Sequence, residues 1–323
     1  MRIRFLLLLI TIPVLLYIVK LSIKEQPKTS EVAGATTSRE LLSPLSPVEP
    51  TPKENLLGKA VKDALVGTKG SYGVAILNLK NNGIYLSNEH RKYKTGSLYK
   101  LWIMAVAFEQ IRDGKLHESD IVSRDRDELY RKFNIASVSA EANAPTKTPE
   151  QIDQDKITFT VGQALEQMII VSDNDAALLL SEKVGLTNVA SFLTKNGFSE
   201  SKLGTRDGYP TTTALDIALF LKKLYKGELT DKVYTDKMLA LLKRQRLNSK
   251  LPKYLPDELV IAHKTGELDE FTHDAGIVYA PTGDYIIVLL SESDNRLQAE
   301  ERISNISKAV YEYFTQATSP YLK

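Results

Sequence analysis

The 323-residue chain contains no cysteine. That excludes disulfides, a thiolate nucleophile and a lipid-modified cysteine. Its four histidines, His90, His117, His263 and His273, show no metal-ligand spacing. They read as surface or satisfied core residues, and neither a metal nor another cofactor is expected. An excess of one charge is missing as well. Of 42 lysines and arginines and 40 acids, seven and four respectively precede Glu54, so the remainder is nearly neutral. A nucleic-acid partner would call for a basic face, and none is indicated. Nor is there a second proline-rich linker after residue 53. Residues 54–323 are therefore enough for one large core or two closely packed lobes.

The first 53 residues are of another kind. Arg2 and Arg4 precede an apolar run from Phe5 to Val19, and Lys20 and Lys24 follow it. Residues 1–23 read as a membrane anchor or signal segment. An anchor is favoured because the nearest small-x-small site, Ala33-Gly34-Ala35, lies too far along for cleavage. Positive residues at the N-terminal side place the rest of the chain outside the cytoplasm. Residues 24–53 hold Pro27, Pro44, Pro47, Pro50 and Pro52 among polar residues and lack apolar periodicity, the composition of a disordered tether.

Within the domain, residues 56–66 read as an amphipathic helix, and 72–79 with 83–86 as a hairpin turned at Asn81-Asn82-Gly83. Late in the chain, 259–265, 275–279 and 285–290 read as strands, followed by a helix over 297–315. Strands at both ends with helices between them predict an α+β fold. One antiparallel sheet is flanked by helices, beside a helical lobe, with the cleft between.

The chemistry centres on Ser97-Leu98-Tyr99-Lys100 at the start of the apolar run Leu101, Trp102, Met104, Ala105, Val106, Phe108 and Ile111. Such a run reads as a buried helix with Ser97 in its first turn, where i and i+3 share a face, so the Lys100 amine and the Ser97 hydroxyl can meet. A desolvated lysine can take the proton that a serine must lose to become a nucleophile. The S-x-x-K spacing recurs at Ser199 to Lys202. Two accompanying motifs are also duplicated: S-D-N at Ser172-Asp173-Asn174 and Ser293-Asp294-Asn295, and K-T-G at Lys264-Thr265-Gly266 and Lys94-Thr95-Gly96. Only Ser97, Ser172 and Lys264 give the order serine-lysine, S-D-N, K-T-G, each on a suitable element. They stand at the opening of an apolar helix, at the end of the helical run 161–171, and next to a strand.

With these motifs the chain resembles the class A β-lactamases and the related penicillin-binding DD-peptidases, over about residues 54–318. The segments 158–165, 175–180 and 211–214 follow the family's order as well. The resemblance implies an acylated Ser97 with Lys100 as its base and a proton relay through Ser172 to the leaving nitrogen. Asn174 would hold substrate and Lys100, Lys264 and Thr265 would meet a substrate carboxylate, and Gly266 would let the substrate backbone approach. The oxyanion would be received by the backbone N–H groups of Ser97 and Glu267. It also implies a bacterial envelope enzyme whose partners are a β-lactam or peptidoglycan-peptide substrate and, through residues 1–23, the membrane.

Two departures stand out. The interval between Ser97 and Ser172 is longer than is usual in that family. The extra length is a polar stretch over 124–156 that reads either as a rim of the cleft or as a surface insertion. Moreover, the family's deacylating glutamate has no counterpart in Gly204-Thr205-Arg206-Asp207-Gly208-Tyr209-Pro210. Asp207 is the only carboxylate there, and Asp-Gly before Tyr-Pro reads more simply as a turn. The expected function is a β-lactamase-like serine hydrolase acting on β-lactams or related amides. The alternatives are a cell-wall D-Ala-D-Ala peptidase or transpeptidase, and a slowly deacylating penicillin-binding sensor.

Overall fold

The computed structural model describes residues 52–81, 83–133, 155–204 and 208–316. The expectations for the membrane segment, for the tether up to residue 51, for residues 134–154 of the 124–156 stretch and for Asp207 lie outside the described residues.

Helix α1 (Pro52–Leu65) leads to the hairpin β1 (Ser71–Asn78) and β2 (Ile84–Ser87), then β3 (Tyr93–Lys94), a 3₁₀ turn (Gly96–Tyr99) and α2 (Lys100–Arg112). Next come β4 (Ile121–Asp125), α3 (Arg126–Lys132), β5 (Lys156–Thr160), α4 (Val161–Ile170), α5 (Asn174–Val184) and α6 (Leu186–Lys195). The chain continues with β6 (Thr211–Thr212), α7 (Ala214–Tyr225), α8 (Lys232–Lys243), β7 (Ile261–Leu268), β8 (Phe271–Val278), β9 (Tyr285–Glu292) and α9 (Arg296–Gln316).

The main sheet is antiparallel in the order β2-β1-β9-β8-β7, so the chain's two ends supply its strands and β7 is an edge. Alternation along each strand sends residues to both faces. Val74 and Ile76 of β1 join Ile287 and Leu289 of β9 under α1 and α9, with Leu57, Val61, Ile303 and Val310. Ala75, Leu77, Ile286, Val288 and Leu290 face the larger core, built on α2 and α4 to α8. Both faces being covered, these strands read as near-continuous apolar runs.

Helix α2 is buried all round from Lys100 to Phe108. Each large apolar side chain removed from water contributes about 1.5–3 kcal/mol. Rotating this helix would expose several of them, so the core fixes where its first residues point. Helix α4 begins with a reciprocal cap: Thr160 Oγ1 accepts from Gln163 N at 3.1 Å and Gln163 Oε1 accepts from Thr160 N at 2.8 Å, worth about 1 kcal/mol.

Two elements differ from expectation. Strand β7 extends to Leu268 and β8 begins at Phe271, so Lys264-Thr265-Gly266 lies inside a strand and not at its end. The polar residues 272–274 hid this, because Thr272, His273 and Asp274 are fully buried within the sheet. The helical part also carries a two-stranded ribbon, β4 paired with β5, at the ends of the long insertion.

Candidate active site

Three chain segments meet at the β7 edge. The first is the nucleophile turn. Gly96 adopts φ +48°, and a Cβ there would stand 2.5 Å from Glu267 N and 2.9 Å from Gly266 C. A Cβ on Gly266 would stand 2.6 Å from Thr95 O. Two glycines thus let the turn and the strand touch backbone to backbone, which brings the Glu267 amide beside the segment that carries Ser97. Behind them, buried His273 donates from Nε2 to Lys94 O at 2.8 Å and accepts at Nδ1 from Ser291 N at 3.1 Å. A carbonyl on one side and an N–H on the other select the Nε2–H tautomer. Burial pulls the His273 pKa down to about 4, so the ring is neutral at ordinary pH. Thr95 N donates to Pro210 O at 2.9 Å, closing the other side of the turn.

Ser97 itself sits on the 3₁₀ turn, not on the α-helix, which begins at Lys100. The left-handed Gly96 forces the tighter entry. Gly96→Ala is accordingly expected to cost about 1–3 kcal/mol for the left-handed backbone alone, with more from the clash with Glu267 N. Thermal unfolding should shift down and any acylation rate should fall at least about tenfold, the equivalent of 1.4 kcal/mol. An unchanged melting temperature would contradict the docked geometry.

The second segment is the Ser172 turn between α4 and α5. Ser172 has φ +61°, and Asp173 caps α5 by accepting from Ala176 N at 2.7 Å. Lys100, with no exposed surface, donates to Ser172 O at 2.6 Å, Asn174 Oδ1 at 2.8 Å, Asp173 O at 3.2 Å and Ser172 Oγ at 3.3 Å. Ser97 is not among these acceptors: the amine is drawn across to the Ser172 turn, although the i, i+3 spacing allows the two to meet. Burial lowers the Lys100 pKa to about 7, with the Asp173 charge acting against it. The surrounding oxygens also favour the ammonium form, but desolvation of the amine dominates.

The third segment is β7. Lys264, fully buried, donates to Ser172 Oγ at 2.8 Å and to Thr265 O at 2.8 Å. Burial first, then repulsion from Lys100, sets its pKa well below the ordinary lysine value. Both lone pairs of Ser172 Oγ therefore face lysine N–H groups, and what that hydroxyl retains to offer is its proton. Thr265 is buried, and Gly266 lies at the close approach already described.

The duplicate motifs are not drawn into this cluster. Ser199 is exposed, Lys202 pairs its backbone with Thr211, and Ser293-Asp294-Asn295 follows β9. Lys94 lies 3.6 Å from Glu270 and over the rings of Tyr209 and Phe271. Among the described residues no three His, Asp or Glu side chains are grouped to hold a metal.

Sequence reasoning missed Lys250, which has no exposed side-chain surface and bonds Glu267 Oε1 at 2.6 Å. It also missed the buried pair of His263 Nδ1 and Asp274 Oδ1 at 2.9 Å. Lys250 comes from a polar segment that looks like surface, and although His263 lies on an expected strand, no local signal marks Asp274 as its partner. The described part of the insertion bears on the site as well. Tyr130 donates to Asp175 Oδ1 at 2.8 Å and Arg126 to Oδ2 at 2.9 Å, one residue beyond Asn174.

Residues 56–314, most of the chain, match the family model described as the beta-lactamase enzyme family. The extended-spectrum beta-lactamase PER-1 of Pseudomonas aeruginosa is 24% identical over 302 residues, covering 87% of this chain and 94% of that protein. The solved structure of PBP-A superposes with a TM-score of 0.69 at 22% identity, over 81% of this chain and 96% of that one. A beta-lactamase from Sphaerobacter thermophilus superposes with a TM-score of 0.68 at 21% identity, over 81% and 98%. The two structures share the fold, and the family match extends through all three segments of the cleft: the chain belongs to the beta-lactamase enzyme family, as a serine hydrolase of the β-lactamase type.

Proposed function

We propose that this hydrolase opens β-lactams and related amides through an acyl-enzyme on Ser97. The observation that carries the reading is the Ser172 hydroxyl held between Lys100 and Lys264. Neutral Lys100 takes the Ser97 proton as the Oγ–C bond forms. The resulting oxyanion is received by the N–H groups of Ser97 and Glu267, donors already in place before the charge develops. As the C–N bond breaks, Ser172 gives its proton to the leaving nitrogen and is reprotonated from Lys100, so the base returns neutral. Lys264, buried against Ser172, keeps that hydroxyl oriented, and Asn174 holds Lys100. Thr265 and Gly266 line the strand along which the substrate lies.

Water must then release the acyl group. The segment from Gly204 to Pro210 contains no glutamate, and a missing positioned base typically costs about a hundred- to ten-thousand-fold in rate. This favours a long-lived acyl-enzyme, with Lys100 as the remaining base near the ester and Asp207 as the other candidate. Slow release suits a cell-wall peptidase or transpeptidase, or a sensor, as the second reading. A location outside the cytoplasm, tethered through residues 1–23, would place the cleft beside wall peptides.

A time course of intact-protein mass spectra, with the full chain and excess benzylpenicillin, tests both. The expected result is an adduct that forms and then decays slowly as penicilloate accumulates. A permanent adduct would shift the assignment to the peptidase or sensor reading, and no adduct at all would remove penicillin from its substrates.

A further inference from the structure

Along β7 side chains two apart face the same way, so Thr265 and Glu267 share a face. The Glu267 amide adjoins Gly96, so a carbonyl attacked by Ser97 lies within a side chain's length of the Glu267 carboxylate. The nitrogen leaving that carbonyl must lie near Ser172 Oγ, which Lys264 of the same strand holds. Substituents on the carbon next to that nitrogen therefore run along β7 between Lys264 and Glu267.

That stretch is already occupied by charge. Lys250 Nζ, wholly buried, lies 2.6 Å from Glu267 Oε1, and Arg296 Nη1 lies 3.8 Å from Oε2. Among the described residues Glu267 is the one acid within ion-pairing distance of Lys250. A buried ammonium left without its partner is strongly disfavoured, which keeps the pair closed. Burial by itself would raise the Glu267 pKa, yet the Lys250 bond and charge, with Arg296 and Lys264, outweigh it and hold the carboxyl below its usual range. The carboxylate is ionised at neutral pH, and the Glu267 side chain is 37% exposed to solvent.

We infer that Glu267 is a specificity-determining residue whose own carboxylate takes the place a substrate anion would occupy against Lys250 and Arg296. The enzyme accordingly prefers leaving groups with no negative charge beside the scissile C–N bond: esterified, amidated or continued as a peptide, over a free carboxylate. The inference deepens the proposed function and rests on its serine acylation. An anionic leaving group must displace Glu267 from Lys250 or share the two cations with a like charge, whereas a neutral one leaves the pair intact.

The test compares second-order acylation rates of the full chain by benzylpenicillin and by its methyl ester. Three forms are used: the natural protein, Glu267→Thr, and Glu267→Thr combined with Lys250→Met. Glu267→Thr is expected to raise the ratio of acid to ester by at least about tenfold, equivalent to 1.4 kcal/mol. Removing Lys250 as well should return the ratio toward its original value. A ratio that does not move in Glu267→Thr overturns the inference. A second measurement needs no acylation: sodium acetate should raise the unfolding temperature of Glu267→Ala beyond an equal concentration of sodium chloride, and should not do so for the natural protein. Should Glu267→Ala not fold, Glu267→Gln, which keeps the volume, replaces it. No acetate effect in the variant overturns the inference. If no β-lactam acylates any form while acetate still stabilises the variant, the serine reading fails and the leaving-group preference with it, and what stands is that Glu267 fills an anion site against Lys250 and Arg296.

Discussion

Ser97→Ala is expected to abolish covalent labelling by a fluorescent penicillin, while Ser199→Ala leaves labelling unchanged. The contrast is sharp because both serines begin an S-x-x-K motif and only one stands where chemistry can follow. Ser97 lies on a turn pressed against β7 by Gly96 and Gly266, three residues before a buried lysine and next to the glycine that adjoins the Glu267 amide. Ser199 is exposed, and its lysine partner Lys202 is exposed as well. Removing a nucleophile ends covalent chemistry outright, so the effect is loss of signal and not a graded decrease. Gel fluorescence with unfolding curves of both variants checks it. A labelled Ser97→Ala protein that unfolds normally would transfer the nucleophile's role elsewhere.

The second large effect belongs to Lys100. Replacement by methionine, similar in length and apolar, is expected to slow acylation about a hundred- to ten-thousand-fold, the usual contribution of a positioned base. Exchanging a buried charge for a well-packed hydrophobe is often tolerated by the fold. In this case it leaves the carbonyls of Ser172 and Asp173 and Asn174 Oδ1 without their donor, so a moderate loss of stability should accompany the loss of rate. The natural enzyme should show the matching pH dependence. With the Lys100 pKa lowered to about 7 by burial, the amine is protonated and inert as a base below that value and free above it. Acylation should therefore fall about tenfold per unit on the acid side of pH 7 and level off above it. Stopped-flow acylation from pH 5 to 9 checks this. A profile flat through 7 would mean that Lys100 is not the group that accepts the Ser97 proton.

These two expectations rest on different kinds of information. Choosing Ser97 over Ser199 was possible from the chain alone. An unbroken apolar run after Ser97 marks a buried helix, and a polar stretch around Ser199 does not. The strands of the main sheet were legible for the same reason, since residues buried on both faces give near-continuous apolar segments. Strand β8 was partly missed because Thr272, His273 and Asp274 are polar yet buried. The burial of His273 and Asp274 is allowed by bonds to other segments, to Lys94 O, Ser291 N and Leu251 N, whereas Thr272 Oγ1 is buried without a hydrogen-bond partner among the described residues.

The sequence by itself determined the apolar helices and strands of the core, the order of the three motifs and the residues that carry them, because hydrophobic periodicity and motif order are properties of neighbouring residues. Tertiary structure alone decided that Lys100 reaches across to Ser172 and not back to Ser97, that Ser172 is shared by two lysines, and that Lys250 is buried against Glu267. These contacts join residues 72, 92 and 17 positions apart, and burial is what gives them force. A lysine buried away from water loses its proton readily, and an unpaired buried charge is expensive. Neither cost can be read from a residue without knowing what surrounds it.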